Sequence, residues 1–166
     1  MIRVRAANAH IKRTFRPTYA WTQATPKSVF LDPAWDRSVP IYPGMVLMRK
    51  GGELVSLIDA TGLPYGFAAD YVGGDGFDPL LDVGMNATAV WVFGNDAEAE
   101  ILAPAFDTAV TWTDPTNGTE TLVHAQTTGA NRGKLVPAGT AGASTVAVAR
   151  LLKVNSPSKI TIGGLR

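Results

Sequence analysis

The stretch MVLMRKGGELVSLI, residues 45–58, contains the clearest structural signal in the chain. The apolar residues 45–48 precede the pair Gly51-Gly52, and a second run, residues 54–58, follows it. Glycines readily adopt the positive φ angles that tight turns between antiparallel strands require. The stretch therefore predicts a β-hairpin.

Similar short runs recur along the rest of the chain. We expect strands over residues 65–69, 88–93, 146–154 and 160–162, and a further hairpin from 109–113 to 120–124 around the turn residues Pro115 and Gly118. The runs are separated by many of the 17 glycines and 11 prolines, which is typical of small barrels and sandwiches. The predicted fold class is all-β, with a small β-barrel or β-tulip-like body over residues 39–166 and little helix.

Residues 1–38 differ from that body in composition. They contain Pro17, Pro26 and Pro33 without clear apolar alternation, which predicts an extended arm. Solvated tails are poor in aromatic residues, yet this segment contains five, so we expect the arm to bind a partner or a neighbouring subunit. The predicted contact residues are Lys12, Arg13, Phe15, Arg16, Tyr19, Trp21, Phe30 and Trp35.

Charged residues are sorted along the chain. Residues 1–31 and 132–166 each carry six basic residues and no acid, whereas residues 51–131 carry twelve acids and no Lys or Arg. Oppositely charged patches steer association, so the pattern suits contacts with copies of the chain or with a repeated partner. It suits equally the alternative that the basic termini fold back onto the acidic body of the same chain.

Residues for catalysis or metal binding are scarce. The chain has no cysteine and only two histidines, His10 and His124, so a transition-metal site would need carboxylates from distant segments. It also lacks the Gly-x-Ser-x-Gly and phosphate-loop motifs. No apolar run approaches the ~18 to 20 residues that span a bilayer. We therefore expect no enzymatic activity, no cofactor and no membrane partner.

Residues 39–105 resemble a known family. The segment Pro43-Gly-Met-Val-Leu47, the Gly51-Gly52 turn, and residues 57–61 (LIDAT), 66–68 (GFA) and 89–93 (AVWVF) are similar to the core of the lambda-like head decoration proteins. These are the capsid cement proteins of tailed bacteriophages. Residues 149–154 (ARLLKV) and 156–162 (SPSKITI) look like those of actinobacteriophage versions. Outside the resembling core, residues 106–166 are expected to form the additional hairpin and C-terminal strands.

The resemblance implies a structural protein of the virion. Such a protein is made in the host cytoplasm, assembles as a homotrimer and binds the outer surface of the expanded head, where its N-terminal arm contacts the major capsid protein. Two other functions stay open. The basic, aromatic arm suits single-stranded nucleic acid, although the acidic body disfavours that ligand. Trp91 or Trp112 suits a sugar-binding platform.

Overall fold

The computed structural model describes residues 13–19, 26–36, 38–73, 87–92, 94 and 96–165. Its strands form two sheets. A closed barrel contains β2 (Pro26–Leu31), β3 (Val46–Gly51), β4 (Leu54–Leu57), β5 (Pro64–Ala68) and β6 (Ala87–Trp91). A six-stranded sheet contains β1 (Phe15–Tyr19), β7 (Glu98–Leu102), β8 (Thr121–Ala125), β9 (Leu135–Pro137), β10 (Ala149–Ser156) and β11 (Lys159–Gly163). Besides these strands, the described residues form one 3-10 turn, Gly129–Asn131. The prediction of an all-β fold with a small barrel is confirmed.

The barrel is built around the hairpin predicted from residues 45–58. Leu47 pairs with Leu57 across antiparallel strands β3 and β4, and Gly51 and Gly52 turn the chain with φ angles of 131° and 55°. The barrel order is β2-β4-β3-β5-β6, and β6 pairs back onto β2. Closure leaves the barrel without the free strand edges at which sheets otherwise associate.

In sequence, the barrel is inserted between two neighbouring strands of the other sheet. The strand order of that sheet is β1-β7-β11-β10-β8-β9. β1 precedes the barrel and β7 follows it, yet the two strands are antiparallel neighbours in which Phe15 pairs with Ile101. Their pairing therefore holds together the two ends of the barrel segment.

One apolar core extends through both sheets. Strands β7 and β11 place alternate side chains in it, as the two-residue period of a strand requires. The residues that these two strands bury completely are Ala99, Ile101, Ile160 and Ile162. They belong to the same cluster as the barrel residues Leu47 and Leu57.

Gly133 forms a close contact between the barrel and the C-terminal part of the chain. A Cβ atom at this position would lie 2.5 Å from Leu57 Cδ2, and the φ angle of +86° is one that favours glycine. The Gly133 carbonyl accepts a hydrogen bond from Val46 N at 2.7 Å. A side chain at residue 133 would therefore push the two parts of the fold apart.

The predicted hairpin over residues 109–124 is wrong. Residues 109–113 form no strand. Trp112 Nε1 donates to Asp107 O at 2.8 Å, and Asp114 Oδ1 accepts a hydrogen bond from Val154 N at 2.6 Å. β8 does form, but β9 and β10 pair with its two sides and leave no place for a strand from residues 109–113. The sequence patterns also failed to predict β7 and β9.

The extended arm predicted over residues 1–38 needs correction. Strands β1 and β2 belong to the two sheets, and Phe15 and Trp35 are buried. Phe15 stacks on Phe67 and Trp91, with ring centroids 5.7 Å and 6.2 Å apart. Phe15 and Trp35 therefore belong to the core of their own chain. Residues 1–12 and 20–25 lie outside the described residues.

The predicted boundaries at residues 38 and 105 do not follow the two sheets. Strand β2 lies before residue 39 but closes the barrel. Strand β7 lies before residue 105 but pairs with β1 and β11 in the six-stranded sheet. In the structure, the barrel therefore spans residues 26–91, and the second sheet takes its strands from both sides of that segment.

Candidate binding surfaces

The candidate functional features of this chain are surfaces. Within the described residues, no three His, Cys, Asp or Glu side chains converge as metal ligands do. His124 Nδ1 lies 2.7 Å from Ser144 O, so this imidazole is engaged by the backbone. No helix capable of spanning a membrane occurs in the described part of the chain.

Several of the sorted charges pair within the chain. The basic segments at both ends contribute lysine or arginine, and the acidic middle contributes the carboxylates. The cross-segment pairs are Lys27–Glu53 at 3.1 Å, Arg150–Glu120 at 3.4 Å and Lys159–Glu100 at 3.2 Å. The basic ends thus fold back onto the acidic body in these places, which supports the second interpretation of the charge pattern. Lys27–Glu53 is exposed, and exposed pairs contribute only about 0 to 1 kcal/mol each.

Two carboxylates have lowered pKa values, and each lies in a local turn. The Ser38 hydroxyl and amide donate to Asp36 and lower the pKa of that carboxyl. The Thr61 hydroxyl donates to Asp59 Oδ1 at 2.7 Å and is the largest cause of the lowered pKa of Asp59. Lys50 adds to the shift with its positive charge. Hydrogen bonds to the charged carboxylates explain both pKa shifts. The shifts therefore indicate turns stabilised by side-chain hydrogen bonds rather than reactive groups.

The first candidate surface is the β1 face, which consists of Arg13, Arg16 and Tyr19. All three side chains are exposed, and Tyr19 is exposed to 64%. Arg16 lies opposite Glu100 in the β1–β7 pair, but Glu100 is paired with Lys159. Among the residues that the structure describes, neither arginine has an ion pair. The β1 face therefore combines two exposed positive charges with an aromatic ring.

The second candidate surface is the Phe30 patch on the barrel wall. Phe30 and Leu54 are register partners on β2 and β4, and they are exposed to 55% and 37%. The Lys27–Glu53 ion pair belongs to the same two chain segments. Large apolar side chains that are exposed next to each other are typical of a binding site.

The eight residues predicted to contact a partner divide into three groups. Arg13, Arg16, Tyr19 and Phe30 are exposed. Phe15 and Trp35 are buried, so they are core residues and not partner contacts. Lys12 and Trp21 lie outside the described residues. The exposed residues are spread over two sheets because β1 and β2 diverge into different ones.

The tryptophans considered as a sugar platform are partly buried against the core. Trp91 stacks with Phe15. Trp112 packs edge-on against Phe106, with ring centroids 5.6 Å apart, and its Nε1 donates to Asp107 O. Both rings thus contribute to packing, and sugar platforms are normally open to solvent.

An apolar cleft, which we call the Val146 cleft, lies between β5 of the barrel and the C-terminal part of the chain. Its volume is about 290 Å³, and its lining includes Pro64, Tyr65, Val92, Val146 and Leu165. Val92, Val146 and Leu165 are exposed to 47%, 44% and 37%. Sequence reasoning missed this cleft because its residues come from separate segments, and only the fold brings them together.

Comparison with protein families gives a match over the entire chain. A family model described as phage cement protein matches residues 1–166. The resemblance to phage head decoration proteins predicted a capsid cement protein. The family match confirms that prediction. No curated protein matches the chain.

A solved structure shares the fold. A chain in the capsid of Myoviridae phage XM1 superposes with a TM-score of 0.56 and 15% sequence identity, covering 86% of this chain and 84% of that one. At this identity the likeness concerns the fold. It indicates that a chain of a phage capsid shares most of this fold.

Proposed function

From the premise that the chain belongs to the phage cement protein family and is a component of the virion capsid, we propose that it binds the outer surface of the expanded head. There it stabilises contacts between subunits of the major capsid protein. The observation that carries the proposal is the family match, because it covers residues 1–166 and therefore both sheets. The fold shared with a chain of the phage XM1 capsid supports it.

The β1 face is the surface that suits this role best. Arg13 and Arg16, which have no ion pair among the described residues, supply positive charge that attracts an acidic partner surface, and Tyr19 supplies apolar area with a polar tip. β1 is an edge strand, but Pro17 within it has no backbone N–H to donate to an added strand. We therefore expect the capsid protein to contact side chains of β1 rather than to extend the sheet.

We propose the Phe30 patch as a second contact with the major capsid protein and the segment before residue 13 as a third. Lys12 and Trp21, which flank β1 in sequence, remain proposed contact residues. Several modest contacts acting together resist the internal pressure of a packed head better than one strong contact does, because partial detachment is followed by rebinding at high local concentration. A structural protein of this kind needs no catalytic residues.

We also propose that the protein acts as a homotrimer, as the resemblance to head decoration proteins implies. Trimers place three identical surfaces around one symmetry axis, which suits the threefold positions of an icosahedral shell. Sedimentation equilibrium of the free protein checks this point. A particle with the mass of three chains supports it, and a monomer at all accessible concentrations contradicts it.

Co-sedimentation with purified heads tests the proposed function. Expanded heads lacking the protein are incubated with it, pelleted and analysed for bound chain, and unexpanded proheads serve as the control. We expect saturable binding to expanded heads and higher resistance of those heads to heat-induced DNA release. If the chain stays in the supernatant, or if bound chain leaves the heads no more resistant, the proposed function is wrong.

A further inference from the structure

The turn at residues 116–119 has a chemical feature that the proposed contacts do not use. Of the six asparagines in the chain, Asn117 is the one that is followed by glycine. The side-chain amide of an asparagine reacts with the backbone N–H of the next residue, and glycine hinders that attack least because it has no Cβ atom. The pair Asn117-Gly118 is therefore a candidate site of spontaneous covalent modification.

Asn117 and Gly118 form the tip of an exposed turn. Thr119 N donates to Thr116 O at 3.0 Å, and the hydroxyl oxygens of these two threonines lie 2.7 Å apart. Asn117 and Gly118 are the two residues between them, and both are exposed. The side chain of Asn117 makes no hydrogen bond to the described residues. Its amide group is thus open to water and is not held in one orientation.

The backbone amide that carries out the attack is not engaged either. The hydrogen bond that closes the turn uses Thr119 N, and Gly118 N donates to no atom of the described residues. The space around it is open, because a Cβ atom on Gly118 would meet no atom within 4 Å beyond its chain neighbours. In the part of the chain that the structure describes, neither a competing hydrogen bond nor a neighbouring atom opposes a bond between Gly118 N and Asn117 Cγ.

Asn131 shows the opposite arrangement. Its Nδ2 donates to Asp107 Oδ2 at 2.9 Å, and its Oδ1 accepts a hydrogen bond from Lys134 Nζ at 2.9 Å. The next backbone amide, Arg132 N, donates to Gly129 O at 3.2 Å. Both reacting groups are therefore engaged at this position.

Asn155, the third asparagine that the structure describes, is restrained by its strand. It lies within β10, and its Oδ1 accepts a hydrogen bond from Thr161 Oγ1 at 2.8 Å. The next residue is Ser156, which has a Cβ atom and pairs with Lys159 on β11. The fold thus separates Asn117 from the other two asparagines by exposure, by hydrogen bonding and by the residue that follows.

We propose that Asn117 deamidates spontaneously in the folded protein and gives the turn a new carboxylate. In the first step, Gly118 N bonds to Asn117 Cγ, the bond from Cγ to Nδ2 breaks, and Nδ2 leaves as ammonia with the proton of Gly118 N. In the second step, water opens the cyclic imide. Opening on one side gives aspartate, and opening on the other gives isoaspartate, in which the chain continues through the side chain. No atom is oxidised or reduced.

The new charge adds to acids that already flank the turn. Asp114 accepts a hydrogen bond from Val154 N at 2.6 Å, and Glu120 lies 3.4 Å from Arg150, so both ends of the turn are fixed to β10. The turn leads into β8, which β7, β11 and β10 separate from β1 in the sheet. Deamidation therefore makes a surface remote from the β1 face more acidic. The inference does not depend on the proposed function.

Incubation of the folded, full-length protein tests the inference. The protein is kept at mildly alkaline pH for several weeks and digested at acidic pH, and mass spectrometry measures the deamidated fraction at each asparagine. We expect an acidic shift in isoelectric focusing. We expect conversion at Asn117 to be at least about tenfold faster than at Asn131 or Asn155, because hydrogen bonds hold those side chains away from the geometry of attack.

Two variants serve as controls. Gly118→Ala adds a methyl group beside the attacking amide and should slow conversion of Asn117 by about tenfold, with Asn131 and Asn155 unchanged. Asn117→Asp carries the charge of the product from the start, so it should focus with the converted wild type and show no further shift.

Three results would overturn the inference and leave the proposed function untouched. Asn117 converts no faster than the other two asparagines, or Gly118→Ala converts as fast as the wild type. In the third, Asn117 converts in urea but not in the folded protein, which would show that the fold protects the turn.

Discussion

Phe15 stacks on Phe67, with ring centroids 5.7 Å apart and ring planes 29° apart. This contact ties the first strand of the six-stranded sheet to β5 of the barrel. Phe15 is also within 6.2 Å of Trp91 on β6, so one ring contacts two barrel strands. The β1 face can serve as a binding surface because the opposite side of β1 is fixed in this way.

Phe15→Ala should destabilise the free protein. The change removes a buried ring and leaves a cavity, which typically costs about 3 to 5 kcal/mol. Tyr19→Ala on the same strand removes an exposed ring and should change stability by less than about 1 kcal/mol. Urea denaturation of both variants measures the difference. A similar loss of stability in Phe15→Ala and Tyr19→Ala would mean that Phe15 is not part of the core.

Deletion of residues 1–12 and deletion of residues 1–31 should have different effects. The shorter deletion leaves β1 and β2 intact, so we expect a cooperative thermal transition close to that of the full chain. The longer deletion removes β1 and β2, opens the barrel and exposes the partners of Phe15. We expect aggregation or loss of the transition. If the chain without residues 1–31 still unfolds cooperatively and stays soluble, the extended arm predicted from the sequence is right after all.

Gly133→Ala should destabilise the fold through a clash as well as through backbone strain. The new methyl group would lie 2.5 Å from Leu57 Cδ2, and overpacking of a core costs about 1 to 3 kcal/mol. Gly118→Ala is the matched control, because Gly118 has a φ of +83° but no atom within 4 Å of the added Cβ. The loss of stability in Gly118→Ala therefore measures backbone strain alone. Equal losses in the two variants would exclude a tight junction at Gly133.

The difference in thermal stability between the wild type and Asp59→Asn should shrink as the pH falls. The pKa of Asp59 is lowered from 3.8, so its contribution to stability is present above that value and is lost as the pH falls through the lowered pKa. Melting curves from about pH 6 to about pH 2 check this expectation. A constant difference over that range would show that the charge of Asp59 does not stabilise the turn.

Tyr19 and Arg16 should affect different rate constants of head binding, if the β1 face contacts the capsid. Tyr19→Ala removes apolar contact area and should raise the dissociation rate about tenfold. Arg16→Gln removes charge and should lower the association rate, and the effect should vanish near 1 M salt, where the Debye length is about 3 Å. Lys153→Gln, at an exposed lysine on β10, is the control. Unchanged rates in both β1 variants would exclude this face as the contact.

The sequence predicted those elements whose signal is local. The Gly51-Gly52 hairpin was recognised because turn glycines and apolar runs lie within fourteen residues. β1 and β2 were missed because their pairing partners lie on β7 and β6, and the prolines at their positions suggested an irregular segment. Dependence on residues that are distant in sequence also limited the prediction of contact residues. Arg13 and Arg16 were identified as contact residues from composition, but whether Phe15 faces inward or outward depends on a strand more than eighty residues away.

Electron cryo-microscopy of expanded heads with and without added protein tests the central claim most directly. We predict additional density on the outer surface at repeated symmetry positions, into which the barrel and the six-stranded sheet fit with the β1 face toward the shell. The density should bridge neighbouring subunits of the major capsid protein. Identical maps with and without the protein, or density inside the shell, would contradict the assignment as an outer capsid cement protein.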